Sequence, residues 1–262
     1  MRHVVGWSAP VLALAGLFAV QLVTIAVGPL AALAFVALVA ALVGLAGEVH
    51  ARLHPAFRPA AHRVAFTFWV LPALITLTIG LGVIVWMPEG AIVARSIPAV
   101  GAILAGLALF GQDRELERSD DASDSGTWTK QLLSLLTYFT AFVLFTVIYQ
   151  TKERSFVSAP IVALAAGLLS VVLLRGTGAP RRRMLMYALL TALAAGEVTW
   201  ALNYWVVREL VGGAVLLLLF YVVVGLNEVI LRSELTTRLL VEYVSVGVVG
   251  FLLILSTGPW RP

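Results

Sequence analysis

The chain has 262 residues, of which 61% are hydrophobic and only 12% charged; its mean hydropathy is +0.99. Soluble domains carry about a quarter charged residues, so this composition excludes a soluble globular protein and spends the length on membrane spans of about 20 apolar residues each. The net charge of +4 arises from 16 Arg and 2 Lys against 14 acids, with no basic patch interleaved with aromatics; this argues against nucleic acid and fits the Arg and Lys excess of cytoplasmic loops.

The first apolar run, 9–49, is too long for one helix. Gly28-Pro29 divides it into spans 9–27 and 30–49, because Pro suits a turn followed by a new helix start. Arg2 ahead of an apolar stretch imitates a secretory signal. The apolar region is too long for one and no polar domain follows, so an uncleaved first span is expected. After the second span, EVHARLH places His50 and His54 at i,i+4, a spacing that can present two imidazoles to a metal. Glu48 lies close by and His62 follows. Arg52 and Arg58 crowd the region with positive charge and Pro55 ends the helix. Solvated interfacial histidines are therefore expected, with metal or haem ligation the weak alternative, and no cofactor is predicted.

Further spans are predicted over 64–86, 91–111, 130–150, 157–174, 184–207, 210–227 and 237–257. The expected fold is all-α: a polytopic transmembrane helix bundle of about nine spans (eight possible, given the divisions within 9–49 and 64–111), forming a single integral membrane domain over 1–262. The one long polar segment, GQDRELERSDDASDSGTW, carries six acids and two Arg. Its Ser, Asp and Gly content predicts a flexible acidic cytoplasmic loop over 111–129. GTGAPRRR, residues 176–183, reads as a tight turn whose Arg181, Arg182 and Arg183 set topology and touch anionic lipid head groups.

The seventh span contains GEVTWALNYW, residues 196–205, and with it a carboxylate. At 100° per residue, Glu197 shares a face with Leu193, Trp200 and Tyr204. The flanking arc carries Ala188, Ala192, Gly196, Thr199 and Asn203, small or polar residues suited to close helix packing. The opposite side holds Tyr187, Ala194, Val198, Leu202 and Trp205. Tyr187 and Trp205 stand roughly 27 Å apart along the axis, about one hydrocarbon thickness, and so read as interfacial anchors on a lipid-facing side. By elimination Glu197 is expected to point into the bundle near mid-span, largely protonated unless a bound cation replaces the proton. The ligand or ion site predicted there comprises Glu197, Trp200, Asn203 and Tyr204. Glu242, one turn inside the ninth span, is a further candidate. Glu228 with Arg232, Glu234 with Arg238 and Arg238 with Glu242 are spaced i,i+4 as modest helix-end pairs. Gln21 and Asn227 read as interhelical hydrogen-bonders.

Orientation follows from counting. With the N-terminus in the cytoplasm and nine alternating spans, the inside holds Arg2, Arg52, Arg58, Arg63, Arg114, Arg118, Lys130, Arg175, Arg181, Arg182, Arg183, Arg232 and Arg238. The outside holds Arg95, Lys152, Arg154, Arg208 and Arg261. This bias predicts a cytoplasmic N-terminus and an outer C-terminus.

GEVTWALNYW, LVGGAVLLLLFYVVVGL and RLLVEYVSVGVVGFLLILSTGPW resemble segments of uncharacterised prokaryotic multi-span membrane proteins. The resemblance covers the last third of the chain; it implies a prokaryotic plasma (inner) membrane and no particular activity. Lys130 and Lys152, the only lysines, lie at span ends, so no Schiff-base lysine sits within a span. The chain has no GxxxxGK[ST], HExxH or GxSxG motif and no cysteine for a disulfide, thiolate ligand or nucleophile. The leading functional expectation is transport or binding of a small molecule, proton or ion around Glu197. The alternatives are a structural or accessory subunit bound to a protein partner in the membrane, and an intramembrane enzyme acting on a lipid or isoprenoid through Glu197 and Tyr204. A non-enzymatic role is favoured.

Overall fold

A computed structural model of the chain describes residues 2–55, 57, 67–86, 96–117, 126–151, 155–205 and 208–256. His62, Arg95 and the acidic stretch 118–125 lie outside these residues, as do the expected span ends 64–66, 91–95, 206–207 and 257. Nine α-helices occur among the described residues: α1 (Arg2–Ala26), α2 (Pro29–Leu53), α3 (Val70–Trp86), α4 (Ile97–Glu117), α5 (Gly126–Gln150), α6 (Ser155–Leu174), α7 (Arg181–Asn203), α8 (Glu209–Leu231) and α9 (Thr237–Ser256). No strand occurs among them. Each helix overlaps one predicted span.

The breaks have local causes. Gly28 adopts φ 109°, open to glycine alone at no steric cost, and Pro29 follows at the first helical turn. Gly178 takes φ 71° ahead of Pro180 and α7. Seven helices are long and apolar enough to cross a membrane: α1 from Ser8, α2, α5 from Trp128, α6 from Phe156 through the 3-10 turn, α7, α8 and α9. Repeated helices of this kind make the chain a membrane protein. α3 is apolar but has 17 residues, and α4 ends in the polar run Gln112–Glu117.

That polar end corrects the boundaries expected for the acidic loop. Residues 111–117 complete α4 and residues 126–129 open α5. The carboxylates of Asp113 and Glu117 therefore sit on a helix, where His50 of α2 and His54 at its C-cap face them.

The chain divides into two compact units, Met1–Leu136 and Thr137–Pro262, the boundary falling within α5. In the first unit α1 packs on α2, α3 and α4, and α3 packs on both α2 and α4. Val20, Val36 and Val83 form one buried cluster, and Ala51, Phe68 and Leu116 form another. In the second unit α6 and α7 make the most extensive pair, α8 lies against α7 and α6, and α9 lies against α8. Phe145 of α5 meets Phe220 of α8 edge-to-face, with centroids 5.9 Å apart. Tyr149 donates through its hydroxyl to Leu202 O at the end of α7, 2.9 Å away. Lipid supplies no hydrogen bonds, and buried threonines answer within their own helix: Thr76 Oγ1 donates to Pro72 O, Thr191 Oγ1 to Tyr187 O and Thr199 Oγ1 to Ala195 O.

Candidate functional site

α7 is rotated from the expected orientation. Its buried stripe is Met184, Ala188, Thr191, Ala195, Thr199 and Leu202, spaced 4, 3, 4, 4 and 3 residues apart as one helical face requires. Glu197 stands about 160° from the centre of that stripe by helical geometry and is exposed. The expectation that it points into the bundle is therefore corrected. Leu202, assigned to the lipid side, is buried at 3%, and Tyr187 is half-buried where Asn227 of α8 donates to its carbonyl at 3.2 Å. Pairing Tyr187 with Trp205 as lipid anchors misplaced the face, because the small and Thr-bearing stripe decides how closely another helix can approach. Depth also changes. α7 ends at Asn203, so Glu197 lies in its last two turns, roughly 9 Å from the end, and not at mid-span.

Glu197 lines an open groove of about 440 Å³ between α6 and α7, with Ala159, Pro160, Ala163, Leu193, Gly196, Trp200 and Ala201. The two helices approach so closely there that a Cβ at Gly196 would stand 3.2 Å from Ala163 Cβ. Among the described residues nothing donates to the Glu197 carboxylate and no cation pairs with it. Trp200 Nε1 donates to the Tyr204 hydroxyl at 3.3 Å, one turn further along the exposed face. Asn203 turns away, its Nδ2 donating to Ser158 Oγ of α6 at 2.8 Å. The structure thus brings Glu197, Trp200 and Tyr204 to one face and uses Asn203 to tie α7 to α6. Glu242 stands exposed on α9, outside the groove. Of the three i,i+4 pairs expected near the last turn, Arg232 with Glu228 closes, at 2.5 Å; the two pairs through Arg238 are open among the described residues. Asn227 does bridge helices, donating also to Thr191 Oγ1 at 3.0 Å. Arg181, Arg182 and Arg183 form the exposed first turn of α7.

The first unit holds a polar seam that the sequence reading overlooked. His50 Nε2 lies 2.9 and 3.0 Å from the two carboxylate oxygens of Asp113, and His54 Nε2 lies 4.0 Å from Glu117. Each imidazole has only 15% of its side chain exposed, which corrects the expectation of solvated histidines. Glu48, 3% exposed, takes Arg52 Nε at 2.9 Å on one oxygen and the Phe68 amide at 3.2 Å on the other. Gln112 Nε2 donates to Phe68 O at 3.1 Å, so α2 and α4 hold the N–H and the carbonyl of Phe68, just ahead of α3. The seam was legible in principle: His50 and His54 are four apart, and so are Asp113 and Glu117. Two helices running in the same direction bring such pairs into register. Among the described residues no group of three His, Asp or Glu is placed to hold a metal. Chemically, the seam can hold a proton between His50 and Asp113, and its plain effect is to lock α2, α3 and α4 together.

No curated protein and no solved structure gives a significant match to this chain. One family does match, over residues 8–257, far beyond the last third that carried the resemblance to multi-span membrane proteins. The chain therefore belongs to the family described as Protein of unknown function (DUF5656).

Proposed function

We propose that this is a nine-span protein of a prokaryotic plasma membrane, N-terminus cytoplasmic and C-terminus outside, which binds a small molecule in the α6–α7 groove through Glu197. Transport of that ligand, or of a proton or ion, is the activity such a site would serve. The topology rests on the Arg and Lys asymmetry. The binding reading rests on one observation: Glu197 offers a carboxylate with no partner among the described residues to a groove otherwise lined by apolar side chains. A carboxylate at the edge of hydrocarbon is costly unless something neutralises it. A ligand with an apolar body and a cationic or hydrogen-bond-donating group satisfies both the walls and the acid. Trp200, on the same wall, adds a ring face that favours a cation.

Tetraphenylphosphonium, a cation with an apolar body, is a suitable probe for the full chain in nanodiscs. Its affinity is expected to fall about tenfold in Glu197→Gln, while Glu242→Gln leaves it unchanged. Equal binding by wild type and Glu197→Gln would overturn the reading. A second reading is supported by the open α6–α7 groove beside the acid, whose apolar walls can seat a partner's helix. In that case Glu197→Ala releases a co-purifying membrane protein and leaves probe binding unaltered.

A further inference from the structure

The first turn of α7 runs against the usual electrostatics of helix ends. Three arginines, Arg181 to Arg183, occupy it; no acid shares the turn, and Pro180 at the N-cap gives no side-chain hydrogen bond. A helix N-terminus already carries partial positive charge and favours anions, so this arrangement has an excess of positive charge that no group among the described residues compensates. The neighbouring end of α8 shows the contrast: Arg232 is taken by Glu228 at 2.5 Å, whereas Arg182 and Arg183 make no ion pair among the described residues.

Helix-end charge alone makes no site, but here a built cavity accompanies it. A pocket of about 380 Å³ lies between the start of α7 and the end of α8, lined by Arg182, Arg183, Met186, Tyr187, Ile230 and Leu231. Its two walls are fixed to each other one turn deeper, where buried Asn227 of α8 donates to Tyr187 O at 3.2 Å and Thr191 Oγ1 at 3.0 Å. Arg181 belongs to the same turn and is absent from the lining.

We propose that this pocket is a binding site for an anionic phospholipid. Arg182 and Arg183 take the phosphate with paired N–H donors, as the planar guanidinium favours, and Met186, Ile230 and Leu231 receive the first part of the acyl chains. The apolar floor is what selects a lipid over a free phosphate: a soluble phosphate gains nothing from three aliphatic side chains, while a lipid buries its chain there. The site is independent of Glu197, which lies roughly 21 Å further along the same helix from Arg183.

The test uses the full chain in detergent, titrated with phosphatidylglycerol and, as a neutral comparison, phosphatidylcholine. Phosphatidylglycerol is expected to bind the wild type preferentially. Arg182→Gln/Arg183→Gln weakens it about tenfold, and Arg181→Gln changes it by less than about twofold. These side chains are exposed, so an unaltered thermal midpoint serves as the folding control. Ile230→Trp, which fills the floor and keeps every charge, is expected to weaken the lipid as well. An equal loss in Arg181→Gln reduces the effect to a diffuse surface field and overturns the proposal. Unchanged binding in Ile230→Trp, or displacement by glycerol 3-phosphate at concentrations comparable to the lipid, overturns it in favour of a simple phosphate site.

Discussion

Glu48 in the first unit and Glu197 in the second are treated in opposite ways. In the first, Glu48 is buried and fully engaged, with Arg52 on one oxygen and the Phe68 amide on the other, and Asp113 holds His50. In the second, Glu197 has no partner among the described residues and faces a groove. In the first arrangement each acid has a matched partner that offsets its loss of water, and removing one side leaves the other stranded. The second holds nothing together. Glu48 and Asp113 act as joints, whereas Glu197, without a partner among the described residues, faces a groove and is available to something else.

That contrast can be broken by mutation, and Glu48 offers the largest effect. Glu48→Ala strands the Phe68 amide next to a core cluster and frees Arg52. The expected loss is about 2–3 kcal/mol of stability, read as a lowered thermal midpoint in detergent. The exposed end of Arg52 keeps it below the figure for a fully buried pair. Asp113→Asn is the middle case, at about 1 kcal/mol, since the pair is partly exposed. His50→Gln should lose a similar amount and the double variant no more than either, a non-additivity that would confirm the two residues act as one joint. Glu197→Gln should leave the thermal midpoint where it is. A clear drop there would mean that Glu197 is a joint after all, and the comparison between the units would collapse.

Much of the fold was legible because a membrane span is a length-and-composition signal. Gly28-Pro29 broke the first run where expected, and the nine helices among the described residues each overlap one predicted segment. The candidate site was read less well. Glu197, Trp200 and Tyr204 do share a face, since helical spacing needs no neighbours to predict. The direction of that face was wrong, and the matching of His50 and His54 to Asp113 and Glu117 went unseen. Tyr187 and Trp205 do not mark one lipid-facing side, because Tyr187 is half-buried against α8. The acids Asp113 and Glu117 resemble loop residues by their Ser- and Gly-rich neighbourhood, yet α4 continues through them.

Two helices show why direction was out of reach. The span in α5, Trp128–Gln150, has a mean hydropathy of 2.0 and is 61% buried; α9 has 2.2 and is 0% buried. In water an apolar stripe must turn inward, so sequence reports orientation. In a bilayer, lipid tails and protein cores are about equally apolar, and that signal vanishes. The sequence by itself determined that the chain is helical, how long its helices are and where they break. Only the tertiary structure decided which face of each helix meets protein, because that choice rests on close packing and a few hydrogen bonds, such as Tyr149 to Leu202 and His50 to Asp113, which join helices that are not neighbours in the chain.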